Sequence, residues 1–371
     1  MKYCYRLVFF LLSFFVGGCS TSLNNFKTHF YDYQHVTTAL DSLTEKRASL
    51  VDVYSIGQSH EGRKITAIKI TKKSNPARNK PGILALFAEH AGEHETTSLA
   101  MGIVQYLVDN GQINDRISSL LEKTELWIVP MMNPDGVDYD LSGAPEPFSW
   151  RKNRRPTETA TYGVDLNRNW GYHLEIKPPE KIEKCYSRKD SPNYAGDKPF
   201  SEPETQAVRD LLLAHQNIKI LLDYHSGSAG FMQGAVGCAT GRGTRKGIHP
   251  SIDAFCNGFI DSFAERVTDP HDTRPGFLVM SNEGAADIMR QRVPFYIKPF
   301  VPSKFFEEPG TSINYTYDQL NMAAIGIELF RGSSFFKNLP GSQRILIENQ
   351  VRGILLLLDI IAKKYGYLDA T

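Results

Sequence analysis

The sequence predicts an α/β fold with a mixed central β-sheet that is flanked by helices on both faces. Two observations carry this prediction: several short apolar runs have the length of buried strands, and segments with helical spacing lie between them. Alternation of this kind favours a sheet that is covered on two sides. The chain has 371 residues, of which 41% are hydrophobic, enough for one large domain with a substantial core. A formal net charge of +1 gives no electrostatic argument for nucleic acid as a partner.

Strands are predicted where a short apolar or alternating run is bounded by turn residues. The first two runs are separated by "HEGR", which predicts a hairpin. The run at 82–90 is the continuously apolar one and suits a buried strand, and residues 218–225 are interpreted as another buried strand. The predicted strands are residues 50–59, 63–71, 82–90, 126–136, 218–225 and 323–330, and the fourth of these runs into a turn at "NPDG".

Helices are predicted where apolar residues recur with helical spacing. Ser201 followed three residues later by Glu204 has the pattern of a capping box, with Ser201 as the cap. Residues 235–300 are rich in glycine, proline and charge, which predicts long loops with one helix near residues 252–267. The other predicted helices are residues 96–110, 201–216 and 342–366.

The first residues do not belong to the predicted fold. Two basic residues precede an apolar run that is too short to span a bilayer, and "VGGC" follows, ending at Cys19. These residues resemble the processing site of a bacterial lipoprotein, which implies a signal peptide over residues 1–18 and a lipid on the sulfur of Cys19. An ordinary signal peptide with an incidental cysteine is the alternative. Residues 19–30 would then be a polar tether, and residues 31–366 would form the folded domain.

The remaining cysteines are odd in number. Once Cys4 and Cys19 are set aside, Cys185, Cys238 and Cys256 remain. An exported protein can join two of them in a disulfide and leave the third as a thiol. The sequence leaves open which two are joined.

A cluster of histidines and glutamates, "HAGEHE", follows the third predicted strand. In one interpretation His90, Glu93 and His94 form an H-x-x-E-H motif, with both histidines on zinc and Glu93 as the base. In the other, His90 and Glu93 are both ligands at the end of a strand, and His225 at the end of another buried strand is the third. Gly92 weakens a helix by about 1 kcal/mol relative to alanine, and α/β folds place their sites at the carboxyl ends of strands. Both points favour the second interpretation.

Several further motifs occur in a fixed order along the chain. Together with "HAGE", the set resembles the zinc carboxypeptidases of the pancreatic carboxypeptidase A type over residues 27–366. The resemblance implies a single carboxypeptidase A-like domain with one zinc ion per chain, held by His90, Glu93 and His225. The motifs are "NPDG" at 133–136, "WRKNRR" at 150–155, "GVDLNRNW" at 163–170, "FSEPET" at 200–205, "DYHS" at 223–226 and "IELF" at 327–330.

The same resemblance implies roles for five further side chains. Glu328 would be the catalytic base, which takes a proton from water and passes it to the leaving amine. Arg151 would face the scissile carbonyl, and Asn167 with Arg168 would hold the terminal carboxylate of the substrate, which a guanidinium matches with two parallel hydrogen bonds. Asp165 would accept a hydrogen bond from the first zinc-bound histidine.

Other positions depart from the family pattern or bear on specificity. A count back from the proposed base places Phe306 where carboxypeptidase A has the tyrosine that caps bound substrate, and phenylalanine cannot donate a hydrogen bond. Ile313 falls at the floor of the specificity pocket, which predicts a preference for apolar C-terminal residues, although Glu308 nearby would invite a basic one. Tyr315 and Tyr317 are interpreted as structural tyrosines on a strand.

These observations predict an exported zinc carboxypeptidase that trims peptides or proteins from the C-terminus. It would be a monomer in the bacterial cell envelope, facing the periplasm and tethered to a membrane through its lipid. Three alternatives stay open: a cell-wall (murein) peptide amidase of the same fold, a protease that uses the H-x-x-E-H motif, and a catalytically inactive peptide-binding lipoprotein.

Overall fold

The structure is a computed structural model, in which a mixed sheet forms the centre of the chain. Its strands are β1 Val51–Gln58, β2 Lys64–Ile70, β3 Gly82–Phe87, β4 Glu125–Val129, β5 Ile218–Ser226, β6 Ala235–Ala239, β7 Leu278–Met280 and β8 Ala323–Leu329. The helices are α1 Tyr33–Lys46, α2 His94–Asn110, α3 Asp115–Lys123, α4 Pro134–Leu141, α5 Pro203–Ala214, α6 Ser312–Leu320 and α7 Ser342–Tyr365. The structure describes residues 30–73, 80–143, 150–157, 161–171, 184, 186–226, 235–239, 278–280, 310–320, 322–329 and 342–365.

The strand order across the sheet is β1-β2-β4-β3-β5-β8-β6-β7. The four central strands β4, β3, β5 and β8 run parallel, whereas β1 and β2 are antiparallel neighbours and β6 lies antiparallel to β8. Every residue of β3 is buried, as expected for a parallel strand that is covered on both faces. The mixed sheet predicted from the sequence is confirmed.

Helices cover both faces of this sheet. Successive side chains of β3 alternate between two cores, with Ile83, Ala85 and Phe87 in one and Leu84 and Leu86 in the other. The first core is completed by side chains of α1, α2, α3, α4 and α7, and the second by side chains of α5 and α6. Each fully buried aliphatic side chain contributes about 1.5–3 kcal/mol, so the two cores fix the central strands and, with them, the strand ends.

Three local predictions were wrong. Helix α5 is capped at Glu202 rather than Ser201, and Ser201 Oγ instead donates to the Glu202 carboxylate at 2.6 Å. Tyr315 lies in α6 and not on a strand, because residues 312–320 form a helix that packs against the second core. The interval predicted as loops contains the short strands β6 and β7, which extend the sheet beyond β8.

Several predicted features fall outside the described residues. The signal peptide, Cys19, Phe306, Glu308 and the predicted helix near residues 252–267 are among them. For Glu328 the structure gives the place in the sheet and not the side chain. Among the helices that the structure describes, none has both the length and the apolar character needed to cross a membrane.

Candidate metal and substrate site

The candidate site lies at the carboxyl ends of the neighbouring parallel strands β3 and β5. Phe87 and Tyr224 are register partners at these ends, and their rings stack with centroids 4.3 Å apart. Beyond β3 the chain turns at Ala88, whose φ of 50° lies in the left-handed region. Its N–H donates to Thr96 Oγ1 at 3.0 Å, so the first turn of α2 holds the turn that presents His90.

His90, Glu93 and His225 converge in this place. The Nδ1 atoms of the two histidines are 3.1 Å apart. The two carboxylate oxygens of Glu93 lie 2.9 Å from Nδ1 of His90 and 3.2 Å from Nδ1 of His225. All three residues are buried, and each offers one ligand atom within 4.8 Å of the others.

The chemistry of these atoms fits a divalent metal ion. Both imidazoles direct the same ring nitrogen toward one point, and a carboxylate faces that point from a third side. Two histidine nitrogens and one glutamate form the ligand set of a catalytic zinc site, which leaves a position open for water or substrate. Ser226 N–H donates to Glu93 Oε2 at 2.9 Å, so the end of β5 also fixes the carboxylate.

The electrostatics of the site favour positive charge. Burial alone would raise the pKa of Glu93, but His90 and His225 outweigh it and hold the pKa well below its ordinary value. Burial opposes protonation of His225, whereas Asp223 and Glu93 favour it, and the pKa of His225 is raised well above its ordinary value. These carboxylates therefore stabilise a cation beside the imidazoles, either a proton or a metal ion.

Asp165 and Arg151 support the first histidine. Asp165 Oδ1 lies 3.2 Å from Nε2 of His90, the ring nitrogen that points away from Glu93. The other oxygen of Asp165 accepts a hydrogen bond of 2.8 Å from Arg151 Nε. Burial opposes ionisation of Asp165, but the guanidinium of Arg151 outweighs it and keeps the pKa well below the ordinary value. The Arg151 side chain is 30% exposed and so faces the open side of the site.

The segment that carries Arg151 is joined to the metal-ligand loop by backbone hydrogen bonds. Gly92 N–H donates to the carbonyl of Trp150 at 2.6 Å, and Ala91 N–H donates to the carbonyl of Arg151 at 3.2 Å. The buried amide of Asn133 adds bonds to the carbonyls of residues 89 and 152. The arginine and the metal-ligand loop therefore keep a fixed relative position.

Asn167 and Arg168 lie in a short 3-10 turn, Leu166–Arg168, on the other side of the site. Asn167 Nδ2 is 3.0 Å from His225 Nε2, and its Oδ1 accepts the N–H of Ser312 at 3.1 Å. Arg168 Nη1 donates to the carbonyl of Asn167 at 2.6 Å. Asn167 thus lies beside the second histidine, whereas the guanidinium of Arg168 lies 5.4 Å from the ring centroid of Tyr186.

Three other candidates are placed as follows. Glu328 on β8 is the register partner of His225 on β5. Ile313 packs against β8 at Gly326, where a Cβ would come within 2.7 Å of Ile313 Cδ1. His94 turns away from the cluster, because its Nε2 lies 2.6 Å from a carboxylate oxygen of Asp140 and both side chains are fully buried.

Two buried acids beside the second histidine were not assigned from the sequence. Asp223 Oδ2 lies 3.0 Å from His225 Nε2, and Glu89 Oε2 lies 3.8 Å from the same atom. Burial and the nearby Asp223 raise the pKa of Glu89 well above its ordinary value, and Trp170 Nε1 donates to its other oxygen at 2.7 Å. Period-two alternation along β5 was the available signal, since it places residues 223 and 225 on one face.

A second group of possible metal ligands, His60, Glu202 and Glu204, lies where α5 begins. Its central carboxylate, that of Glu202, already accepts bonds from Asn153 at 2.8 Å and Arg155 at 2.9 Å, and His60 Nε2 lies at 2.8 Å. The guanidinium supplies the positive charge that this carboxylate needs. These contacts form an ion-pair network that anchors α5.

Comparison with known proteins agrees with this geometry. The chain is 38% identical over 146 residues to a zinc carboxypeptidase of Saccharothrix mutabilis subsp. capreolus, which covers 39% of this chain and 33% of the relative. It is 34% identical over 205 residues to carboxypeptidase B of Astacus astacus, which covers 54% of this chain and 62% of the relative. The matches thus span between about a third and three fifths of the lengths of these relatives.

The fold is similar to that of carboxypeptidase A from Helicoverpa armigera. The TM-score is 0.63 at 22% sequence identity, and the superposition covers 91% of this chain and 74% of the other. The family model described as zinc carboxypeptidase matches residues 36–349. The chain therefore belongs to the zinc carboxypeptidase family.

Proposed function

We propose that this chain is a zinc-dependent metallocarboxypeptidase that removes residues from the C-termini of peptides or proteins. His90, Glu93 and His225 would hold one zinc ion per chain. The observation that carries the proposal is the convergence of these three buried side chains, with Nδ1 of each histidine turned toward the other and toward the Glu93 carboxylate. The family membership supports the same conclusion.

Zinc supplies Lewis acidity in such a site, lowering the pKa of water and polarising a carbonyl group. Glu328 is proposed as the base that takes the proton from water and returns it to the departing amine. Its place on β8, in register with His225, puts it at the same strand end as the proposed ligand. Glu93 would serve as a ligand only, since Ser226 and both histidines already contact its oxygens.

Arg151 is proposed to stabilise the negative charge that develops on the carbonyl oxygen during attack. Its Nε is held by Asp165 at 2.8 Å, while Nη1 lies 3.3 Å from His90 Nδ1, at the edge of the proposed metal site. A positioned donor of this kind contributes about 3–4 kcal/mol to transition-state stabilisation. The support from Asp165 orients the guanidinium before substrate arrives.

Asn167 and Arg168 are proposed to bind the free carboxylate at the C-terminus of the substrate. The N–H groups of the amide and the guanidinium suit a carboxylate, and the amide lies 3.0 Å from His225 Nε2. Ile313 is proposed as an apolar floor of the pocket for the terminal side chain, which favours apolar residues. Phe306 at the position of the capping tyrosine would cover bound substrate by packing alone.

The cellular setting is part of the proposal. Residues 1–18 would direct export, Cys19 would carry lipid, and residues 19–30 would tether the catalytic domain of residues 31–366 to a membrane of the cell envelope. The domain would act there as a monomer.

Incubation of the purified chain with a peptide library tests the function. Mass spectrometry should show stepwise loss of single C-terminal residues from free peptides and none from the same peptides with an amidated C-terminus. Chelation should abolish the activity, one equivalent of zinc should restore it, and metal analysis should give one zinc per chain. Cleavage of amidated peptides at internal bonds, or of muropeptides in preference to simple L-peptides, would contradict the proposal.

A further inference from the structure

The carboxylate of Asp223 lies behind the His225 ring and belongs neither to the proposed zinc ligands nor to the proposed substrate contacts. It lies on β5 two residues before His225, and the two side chains share one face of the strand. Asp223 is fully buried, and its Oδ2 is 3.0 Å from Nε2 of His225. This nitrogen is on the opposite side of the ring from Nδ1, which faces Glu93.

Ser312 links Asp223 to the proposed substrate-binding amide. The Ser312 hydroxyl donates to Asp223 Oδ2 in a short hydrogen bond. The backbone N–H of Ser312 donates to Asn167 Oδ1 at 3.1 Å. A single residue at the start of α6 therefore holds both groups, and its N–H requires that Asn167 present Nδ2, the donor end of the amide, to His225.

Two neighbours of opposite character then meet Nε2 of His225. Asp223 offers an acceptor at 3.0 Å, and Asn167 offers the N–H donor of Nδ2, also at 3.0 Å. A ring nitrogen donates when it carries hydrogen and accepts when it does not, so it can satisfy only one of these neighbours. If Nδ1 of His225 is a metal ligand, Nε2 carries the hydrogen, and the carboxylate is the neighbour that can accept it.

The charge on Asp223 is balanced differently from that on Asp165. Asp165 pairs with the guanidinium of Arg151 as well as with His90. Within the described residues, the salt bridge of Asp223 is made with His225 alone. The carboxylate therefore acts mainly on the His225 imidazole, with a weaker attraction to His90, and makes the His225 ring a stronger metal ligand.

We propose that Asp223 and Ser312 are positioning residues of this site. Asp223 accepts a hydrogen bond from Nε2–H of His225, so that the Nδ1 lone pair faces the metal. The Nδ2 hydrogens of Asn167 then stay available for the carboxylate of the substrate. Ser312 holds both partners, and metal retention and recognition of a free C-terminus are therefore coupled through it. This inference rests on the zinc carboxypeptidase function proposed above.

Zinc affinity of Asp223→Asn, measured by competition with a chromophoric chelator, tests the inference without reference to turnover. Loss of the charge should raise the zinc dissociation constant about 10- to 100-fold. Asp140→Asn is the matched control, because Asp140 is equally buried and contacts Nε2 of His94 and the backbone N–H of Trp150, neither of which belongs to the ligand cluster. Its zinc dissociation constant should stay within about twofold of that of the parent chain.

Kinetics at saturating zinc separate positioning from general damage. Asp223→Asn should regain most of its kcat when zinc is in excess, while KM for peptides with a free C-terminus stays raised severalfold. Ser312→Ala keeps the Asp223 carboxylate but removes the hydroxyl that donates to it. It should therefore raise both the zinc dissociation constant and KM, by smaller factors than Asp223→Asn. If Asp223→Asn does not fold, Ser312→Ala decides the question by the same two readouts.

The outcomes are distinguishable from failure of the proposed function. A parent chain that binds zinc and trims peptides, with a zinc affinity that neither variant changes, overturns the role of Asp223 and leaves the function intact. An equal loss of zinc affinity in Asp140→Asn also overturns it, since the effect would then be unspecific. A parent chain that binds no zinc overturns both proposals.

Discussion

His225 on β5 and Glu328 on β8 are register partners on neighbouring parallel strands. The proposed metal ligand and the proposed base therefore lie side by side at the carboxyl ends of their strands. His90 follows β3 at the same edge of the sheet. Glu328→Gln should keep zinc and lower kcat about 100- to 10,000-fold, because the amide cannot accept the proton from water. Glu122→Gln, on the exposed surface of α3, is the control. Turnover of Glu328→Gln at the parental rate would exclude Glu328 as the base.

The two interpretations of the "HAGEH" motif are separated by paired variants. Glu93→Gln removes a negative charge from between the two Nδ1 atoms and should abolish stoichiometric zinc binding, as measured by metal analysis after dialysis. His94→Gln should keep zinc but unfold at lower temperature, because it breaks the buried contact with Asp140 at a cost of about 1–3 kcal/mol. Loss of zinc from His94→Gln alone would favour the H-x-x-E-H site instead.

The proposed carboxylate recognition is tested at Arg168. Arg168→Lys keeps the charge but loses the planar pair of donors, so KM for peptides with a free C-terminus should rise about tenfold with a smaller change in kcat. Arg188→Lys is the control, since Arg188 is 68% exposed and pairs with the nearby Asp190. An unchanged KM in Arg168→Lys would remove this residue from the substrate site.

Gly310 supports the turn that carries Arg168. Its φ is 79°, its carbonyl accepts the N–H of Trp170 at 3.0 Å, and a Cβ there would collide with the carbonyl of Arg168. Gly310→Ala should therefore cost more free energy of unfolding than Gly62→Ala, which has a similar φ of 83° but open space around it. Denaturant unfolding should give about 1–2 kcal/mol for Gly62→Ala and a larger loss for Gly310→Ala. Equal losses would mean that the collision is relieved at no cost.

Glu204 gives a pH dependence of stability with a defined sign. Burial raises the pKa of Glu204 from 4.5 to about 7. Between these values the folded chain keeps a proton that the unfolded chain has lost, so this group lowers stability as pH rises through that window, by about 3 kcal/mol in all. Relative to the parent chain, Glu204→Gln should become progressively more stable from pH 4.5 to 7, as followed by denaturant unfolding. A difference that is constant with pH would contradict the raised pKa.

The sheet was predictable from short-range patterns, and those patterns also placed the proposed ligands His90 and His225 at strand ends. His90 and His225 each stand at the end of a largely apolar run, and the carboxyl ends of parallel strands meet at one edge. The resemblance to the family supplied the order of the motifs. Asp165 and Arg151 came from that resemblance alone, since nothing local indicates that residues 75 and 61 positions away from His90 would lie beside it.

Other features depend on tertiary contacts that no local pattern records. In the sequence, Asp223 looks like any polar residue near the end of a strand. Its distinguishing contact is the hydrogen bond from Ser312, which is 89 residues away. Ser201 matches a capping box, yet its hydroxyl bonds to Glu202 and Asn169, so the helix starts later. The short strands β6 and β7 lie in a segment whose composition favours loops and gain their pairing from β8. In each case a distant partner outweighs the local preference.

The hydrogen bonds from Ala91 and Gly92 to the carbonyls of residues 150 and 151 have a mechanical consequence. The loop with His90 and Glu93 and the segment with Arg151, the proposed oxyanion donor, are joined on one side of the site. Arg151 and the two proposed ligands of this loop should therefore keep their spacing when a peptide binds.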